Sequence, residues 1–159
     1  MPTFSIQIAA PPEMVFDELS HVERHPSWAN PKANMTMEQT AGEGPGRDAR
    51  YRSTGVFSGK EVSADISVTT FDPSREFSIR SDQHQDGKKD AWYENDYTLR
   101  PEGSGTVLTK HVTGSLSPVV FALAHFAIKK DAMTSMGSLK RMMEARTAGG
   151  AVPEVPSDG

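Results

Sequence analysis

The chain passes from a strand into a helix within the segment Ile6-Gln-Ile-Ala-Ala-Pro-Pro-Glu-Met-Val-Phe-Asp-Glu-Leu19. Up to Ile8, apolar and polar residues alternate, which is the period that places one set of side chains on one face of a strand. The proline pair Pro11-Pro12 fits the first turn of a helix, where a backbone N–H has no helical partner. Glu13 then places a carboxylate in that first turn, where the helix dipole favours it. The segment therefore predicts a short N-terminal strand that leads directly into an amphipathic helix.

The composition is that of one folded domain. The chain has 159 residues, of which 36% are hydrophobic and 24% are charged, so it can bury a substantial core. It contains no cysteine, which excludes disulfides, thiolate metal sites and cysteine nucleophiles. The net charge of −4 argues against a nucleic-acid partner, because phosphate binding needs clustered cations. We find neither a signal-peptide pattern nor an apolar run long enough for a membrane span, and we expect a cytoplasmic protein.

The middle of the chain has the pattern of strands joined by tight turns. Val62 to Val68 alternate between apolar and polar residues, as a half-buried strand does. Asp86-Gly87 and Pro101 to Gly105 are hairpin signals. Together with the N-terminal strand, the pattern predicts an antiparallel sheet of about six or seven strands.

One long helix follows these strands in our interpretation. Ser117 is a suitable N-cap before a proline, and apart from Gly137 nothing interrupts a helical pattern up to about Arg146. Such a helix needs a surface to cover, and the concave face of the sheet is the one available. We expect a single domain over residues 1–146 and a disordered tail over residues 147–159, which are rich in Gly and Pro. The apolar stripe of the helix comprises Val120, Leu123, Ala124, Ala127, Ile128, Ala132, Met136, Leu139 and Met143.

Short motifs follow one another in a characteristic order between residues 3 and 146. They are Ala10-Pro-Pro-Glu-Met-Val-Phe16, Pro26-Ser-Trp28 followed by Pro31, a Gly-rich turn ending at Gly46, Phe57-Ser-Gly59, Phe71-Asp-Pro73, and Tyr97-Thr-Leu-Arg-Pro101 with Gly105-Thr106-Val107. In this order and spacing they resemble the polyketide cyclase/dehydratase and lipid-transport group of the START/Bet v 1-like (SRPBCC) superfamily.

The resemblance implies a helix-grip fold of the α+β class. In that fold the antiparallel sheet wraps around the long C-terminal helix, and two short helices follow the first strand. It also implies a cavity between the sheet and the helix. Members of the superfamily include aromatase/cyclases, lipid carriers and hormone receptors, so the resemblance does not specify an activity.

Two functions are compatible with such a cavity. The first is binding of a hydrophobic small molecule, lipid-like or aromatic and polyketide-like, by a monomer or homodimer that uses no cofactor. The second is a polyketide cyclase/dehydratase-type enzyme, in which Tyr97 and His111 exchange protons with a substrate in a water-poor cavity. No catalytic signature accompanies this pair. Alternatively, the two side chains hydrogen-bond each other or belong to a packed core.

Candidate cavity residues follow from the expected phase of two strands. Leu99 and Val107 are apolar positions near a hairpin, and we expect both to face inward. The two-residue period then places on the same side Tyr93, Asn95, Tyr97, Thr109 and His111.

Four further candidates come from outside these strands: Trp28, Phe121, His125 and Met136. Trp28 either plugs one end of the fold or lines the cavity. His125 interrupts an apolar run, and it either overlooks the cavity entrance or lies at the helix edge with one nitrogen in water.

A metal site is not predicted. His21 and His25 have the i, i+4 spacing that can place two nitrogens on one metal ion. No third ligand is near them in the sequence, however, and Pro26 ends the helix immediately.

Overall fold

The computed structural model describes residues 2–29, 34–57 and 59–151, and these contain one seven-stranded antiparallel sheet. Its spatial order places the first strand beside the last, while the others follow one another as a meander. The predicted antiparallel sheet is confirmed. Its strands are β1 (Thr3–Ile8), β2 (Thr36–Ala41), β3 (Arg50–Phe57), β4 (Lys60–Asp72), β5 (Glu76–Gln85), β6 (Lys88–Glu102) and β7 (Gly105–Gly114).

Within the described ranges, four helices accompany the sheet: α1 (Pro12–Ser20), a 3₁₀ helix (Val22–Ser27), α2 (Pro118–Leu123) and α3 (His125–Ala151). α1 and the 3₁₀ helix are the two short helices expected after the first strand. The helix-grip fold is therefore confirmed. No helix within the described ranges is long and apolar enough to cross a membrane.

The C-terminal helix is divided, and the prediction of one continuous helix is wrong at this point. Ser117 caps α2 as predicted, because its Oγ accepts a hydrogen bond from the N–H of Val120 at 3.3 Å. α2 then ends at Leu123, and Ala124 separates it from α3. The ring of buried Phe121 packs over Gly114, where a Cβ would lie 3.2 Å from that ring. No glycine or proline marks the division, where Ala124 has φ −87° and ψ 1°.

α3 also extends beyond the predicted end at Arg146, to Ala151. Thr147 begins the predicted tail, yet its hydroxyl donates to the backbone carbonyl of Met143 at 2.9 Å inside the helix. Gly137 lies within α3 without interrupting it. The rest of the predicted tail, residues 152–159, lies outside the described residues.

The predicted apolar stripe is buried in only one of its halves. Met136, Leu139 and Met143 are completely buried and belong to the core. At the other end, Leu123 is 82% exposed and Val120 is 43% exposed. The prediction that these two residues pack on the sheet is wrong, because both belong to α2, whose buried side chain is that of Phe121.

The inner face of β7 is opposite to the one we predicted. A two-residue turn pairs Glu102 with Gly105, and this register places Leu99 opposite Leu108. Leu108 is fully buried, whereas Val107 is only half-buried on the outer face. A shift of one residue exchanges the two faces of a strand. The prediction that Thr109 and His111 face inward is therefore wrong, although the predicted phase of β6 is correct.

Candidate functional site

A cleft of about 420 Å³ lies between the sheet and the two C-terminal helices. This volume falls in the range of small-molecule sites in proteins. The strand side of the cleft is formed by Ser81, Gln83, Tyr93, Asn95, Lys110 and Val112. The helix side includes Phe121, Ala124, Ala127, Ile128 and Asp131.

Small side chains on the helices leave the space open. Ala124, Ala127 and Ala132 line the cleft, and a methyl group cannot span the gap between a helix and a sheet. Further along α3, Met136 and Leu139 fill that gap and are completely buried. The sequence of α3 therefore gives it a cleft-forming part up to Ala132 and a core-forming part from Met136 onward.

The strand side of the cleft is polar, whereas the helix side is mostly apolar. Asn95 and Tyr93 extend from β6, and Ser81 and Gln83 extend from β5. Burial raises the pKa of Tyr93, and the nearby carboxylate of Asp90 raises it further. The Tyr93 hydroxyl is therefore a neutral hydrogen-bonding group near pH 7. This arrangement suits a ligand that combines apolar and polar surfaces.

Lys110 is the cation of the cleft. It lies on the inner face of β7 and is only 8% exposed. Its Nζ lies 5.5 Å from the centroid of the Tyr97 ring, within the range of a cation–π interaction. It makes no hydrogen bond or ion pair to any residue within the described ranges.

Three of the predicted site residues line the cleft, namely Tyr93, Asn95 and Phe121. Two others are enclosed in the core. Met136 is completely buried. Trp28 is also completely buried, with its ring centroid 4.6 Å from that of His25.

The predicted pairing of Tyr97 with His111 is wrong. Tyr97 is buried opposite Lys110. On the outer face, His111 Nδ1 lies 2.7 Å from the hydroxyl oxygen of Thr3. The sheet therefore separates the phenol from the imidazole, and they cannot act on one substrate atom.

Thr109 and His125 also lie away from the cleft. The hydroxyl of Thr109 lies 2.9 Å from that of Ser5 on the outer face of the sheet. His125 is exposed at the first position of α3, and its ring centroid lies 6.4 Å from that of Phe4. Neither side chain is among those that form the cleft.

Our sequence analysis missed Lys110, Gln83, Ser81 and Val112. A signal for Lys110 was present, because it lies midway between Leu108 and Val112 at the two-residue spacing. Two large apolar residues at that spacing define the inner face better than Val107 alone. No comparable signal identifies Gln83 or Ser81, whose positions depend on the pairing of β5 with β6.

The histidines of the N-terminal region are engaged with the backbone. His25 Nε2–H donates to the carbonyl of Leu19 at 2.7 Å. His21 Nδ1–H donates to the carbonyl of Asp17 at 2.6 Å. In the part of the chain that the structure describes, no group of three or more His, Cys, Asp or Glu residues is placed to hold a metal ion.

Comparisons with solved structures identify the fold. TTHA0849 from Thermus thermophilus is 24% identical, with a TM-score of 0.62, 94% of this chain and 97% of that chain being covered. Ara h 8.0201 is 16% identical, with a TM-score of 0.64, and the match covers 91% of this chain and 98% of Ara h 8.0201. StfQ, a di-domain ARO/CYC from the steffimycin biosynthetic pathway, is 11% identical, with a TM-score of 0.69. The match covers 93% of this chain and 46% of StfQ. At these identities the likeness concerns the fold alone.

A comparison with models of protein families identifies the family of the chain. No curated protein sequence matches the chain. The model described as polyketide cyclase / dehydrase and lipid transport, however, matches residues 3–144. Because this match covers most of the sequence, the chain belongs to the polyketide cyclase / dehydrase and lipid transport family.

Proposed function

We propose that the protein binds a hydrophobic small molecule, lipid-like or aromatic, in the cleft between the sheet and α3. The observation that supports this proposal is the cleft of about 420 Å³ beneath the alanine-rich part of α3. An apolar ligand would gain free energy by removing its own surface and that of Ile128 and Ala127 from water. The polar groups of the strand side would orient it.

The alternative function, acid–base catalysis by Tyr97 and His111, loses its structural basis. His111 lies on the outer face of β7 beside Thr3. A general acid or base must come within hydrogen-bonding distance of the proton that it transfers. Binding is therefore the function that the geometry of the cleft supports best.

A thermal-shift screen against fatty acids, flavonoids and polyketide-like aromatics tests this proposal. A ligand present at 100 times its dissociation constant should stabilise the folded state by about 2.7 kcal/mol. The critical variant is Ala127→Phe, because Ala127 lines the cleft and is exposed. Its ring should occupy the ligand space without disturbing the core.

The matched control is Ala145→Phe, at an exposed position of α3 away from the cleft. Ligands found with the natural protein should still stabilise this control but should no longer stabilise Ala127→Phe. Equal stabilisation of both variants would show that the ligands bind elsewhere. A panel without a single stabilising compound would contradict the proposed function itself.

A further inference from the structure

Lys110 is a largely buried residue whose charge faces the cleft, and the described residues supply no anion to it. It is 8% exposed and has no hydrogen-bonding or ion-pairing partner among residues 2–29, 34–57 and 59–151. Its ammonium group is not among the fully enclosed side-chain atoms that lack a partner, so it faces the space of the cleft. An anion that enters the cleft could accept a charge-assisted hydrogen bond from it, in surroundings that are only slightly exposed to water.

The surroundings of Lys110 hold its ammonium group at the cleft. Along β7, buried Leu108 and Val112 flank it on the inner face and offer no polar contact. Across the strand pair, Tyr97 lies directly opposite, with its ring centroid 5.5 Å from Nζ. The negative face of the ring attracts the cation but leaves its N–H groups without an acceptor.

A second donor lies on the same face. Asn95 is paired with Val112 in the register of β6 and β7, which makes it a diagonal neighbour of Lys110. Diagonal neighbours are within reach of each other's long side chains. Asp131 is the carboxylate that lines the cleft, but it is exposed on α3 and does not lie within 4.0 Å of Lys110 Nζ.

We infer that the ligand of the cleft is an amphipathic carboxylate, whose anionic end binds Lys110 and whose apolar part lies beneath α2 and α3. This inference rests on the proposed function and specifies the class of ligand. A carboxylate accepts charge-assisted hydrogen bonds from the ammonium group and can also accept from the amide of Asn95. An alcohol of the same length could accept a hydrogen bond from Lys110 but would bring no counter-charge.

Isothermal titration calorimetry with dodecanoate and 1-dodecanol tests the inference, because the two probes share an alkyl chain length and differ in the polar end. The natural protein should bind dodecanoate about ten- to hundredfold more tightly than dodecanol. Lys110→Met should abolish this preference by weakening the binding of dodecanoate much more than that of dodecanol. Lys110→Arg, which keeps the charge, should retain the preference.

The control variant is Lys129→Met, because Lys129 is an exposed lysine of α3. It should keep the full preference for dodecanoate, whereas an equal loss in this variant would indicate unspecific attraction and overturn the inference. Circular dichroism and melting curves establish that each variant is folded. If both probes bind equally well to the natural protein and to Lys110→Met, the inference fails while the proposed function stands. If neither probe nor any compound of the screen binds, the proposed function fails.

Discussion

His25 is a residue whose protonation is coupled to folding. It is buried, and burial is the main cause that lowers its pKa from 6.5 to about 4. The hydrogen bond to the Leu19 carbonyl and the carboxylate of Glu18 act in the opposite direction, while the charge of Lys110 lowers the pKa further. The folded protein therefore holds this imidazole neutral at pH values at which the unfolded chain would protonate it.

The consequence is a loss of stability on acidification. Between pH 6.5 and pH 4, the unfolded chain binds more protons at His25 than the folded protein does, so the free energy of unfolding falls as the pH falls. The contribution of His25 should amount to about 3 kcal/mol over this window. Urea denaturation at several pH values between about 4 and 7 measures it.

The test compares His25→Gln with His125→Gln, which alters an exposed histidine. The first variant should show a flatter dependence of stability on pH between 6.5 and about 4, and the second should follow the natural protein. The same slope in all three proteins would mean that His25 is not the responsible group.

Glu18 is a buried carboxylate whose charge is compensated mainly by Arg146 of α3. It is only 1% exposed, and its Oε1 accepts a hydrogen bond from Arg146 Nη1 at 2.7 Å. Arg24 lies further away, with its Nη1 at 3.6 Å from the same oxygen. Removing one partner of a buried ion pair leaves a charge without compensation.

Arg146→Met should therefore lower the free energy of unfolding at pH 7 by about 1–3 kcal/mol, with Arg24 supplying partial compensation. The matched control is Arg141→Met, since Arg141 is exposed and its guanidinium contacts the hydroxyl of Ser138. That variant should stay within about 0.5 kcal/mol of the natural protein. Equal urea midpoints for the two variants would show that Arg146 adds nothing to stability.

At the scale of the secondary-structure element, α3 combines two functions in one helix. The part of α3 up to Ala132 carries alanines over the cleft, and the part from Met136 onward carries Met136, Leu139 and Met143, which fill the core. The helical spacing of apolar residues is continuous across both parts, and also across α2. Periodicity alone therefore cannot distinguish a residue that is buried from one that is exposed to solvent.

A pair of truncations compares a core residue of α3 with an apolar residue of α2. Met136→Ala should cost about 2–5 kcal/mol, because Met136 is completely buried and its loss leaves a cavity. Leu123→Ala should change the free energy of unfolding by less than about 0.5 kcal/mol, since Leu123 is 82% exposed. A large loss for Leu123→Ala in urea denaturation would indicate that α2 packs against a surface in solution.

At the scale of the whole molecule, the site is the space that remains between the sheet and the two C-terminal helices. Strands β5, β6 and β7 contribute polar side chains, and α2 and α3 contribute a mostly apolar cover. The core at the other end, where Phe16, Phe71 and Phe77 pack edge to face, keeps these layers in position. A rigid scaffold of this kind allows a cleft to remain open without loss of the fold.

Local chemistry was sufficient to predict the order of the elements. Alternation marks strands, prolines start helices, and Asp-Gly or Gly-rich turns join hairpins, because each of these effects acts between residues close in the chain. The early strand-to-helix transition, the cap at Ser117 and the inward phase of Tyr97 are all of this kind.

Contacts between distant parts of the chain settled the rest. Whether Val107 or Leu108 faces inward depends on the register with β6, and a shift of one residue reverses it. The end of α2 at Leu123 has no glycine or proline as a local signal, and the side chain that α2 buries is that of Phe121. The same register of β7 with β6 places Lys110 in the cleft and His111 on the outer face of the sheet. Cross-strand pairing and the space between layers are properties of the assembled fold, and no window of the sequence contains them.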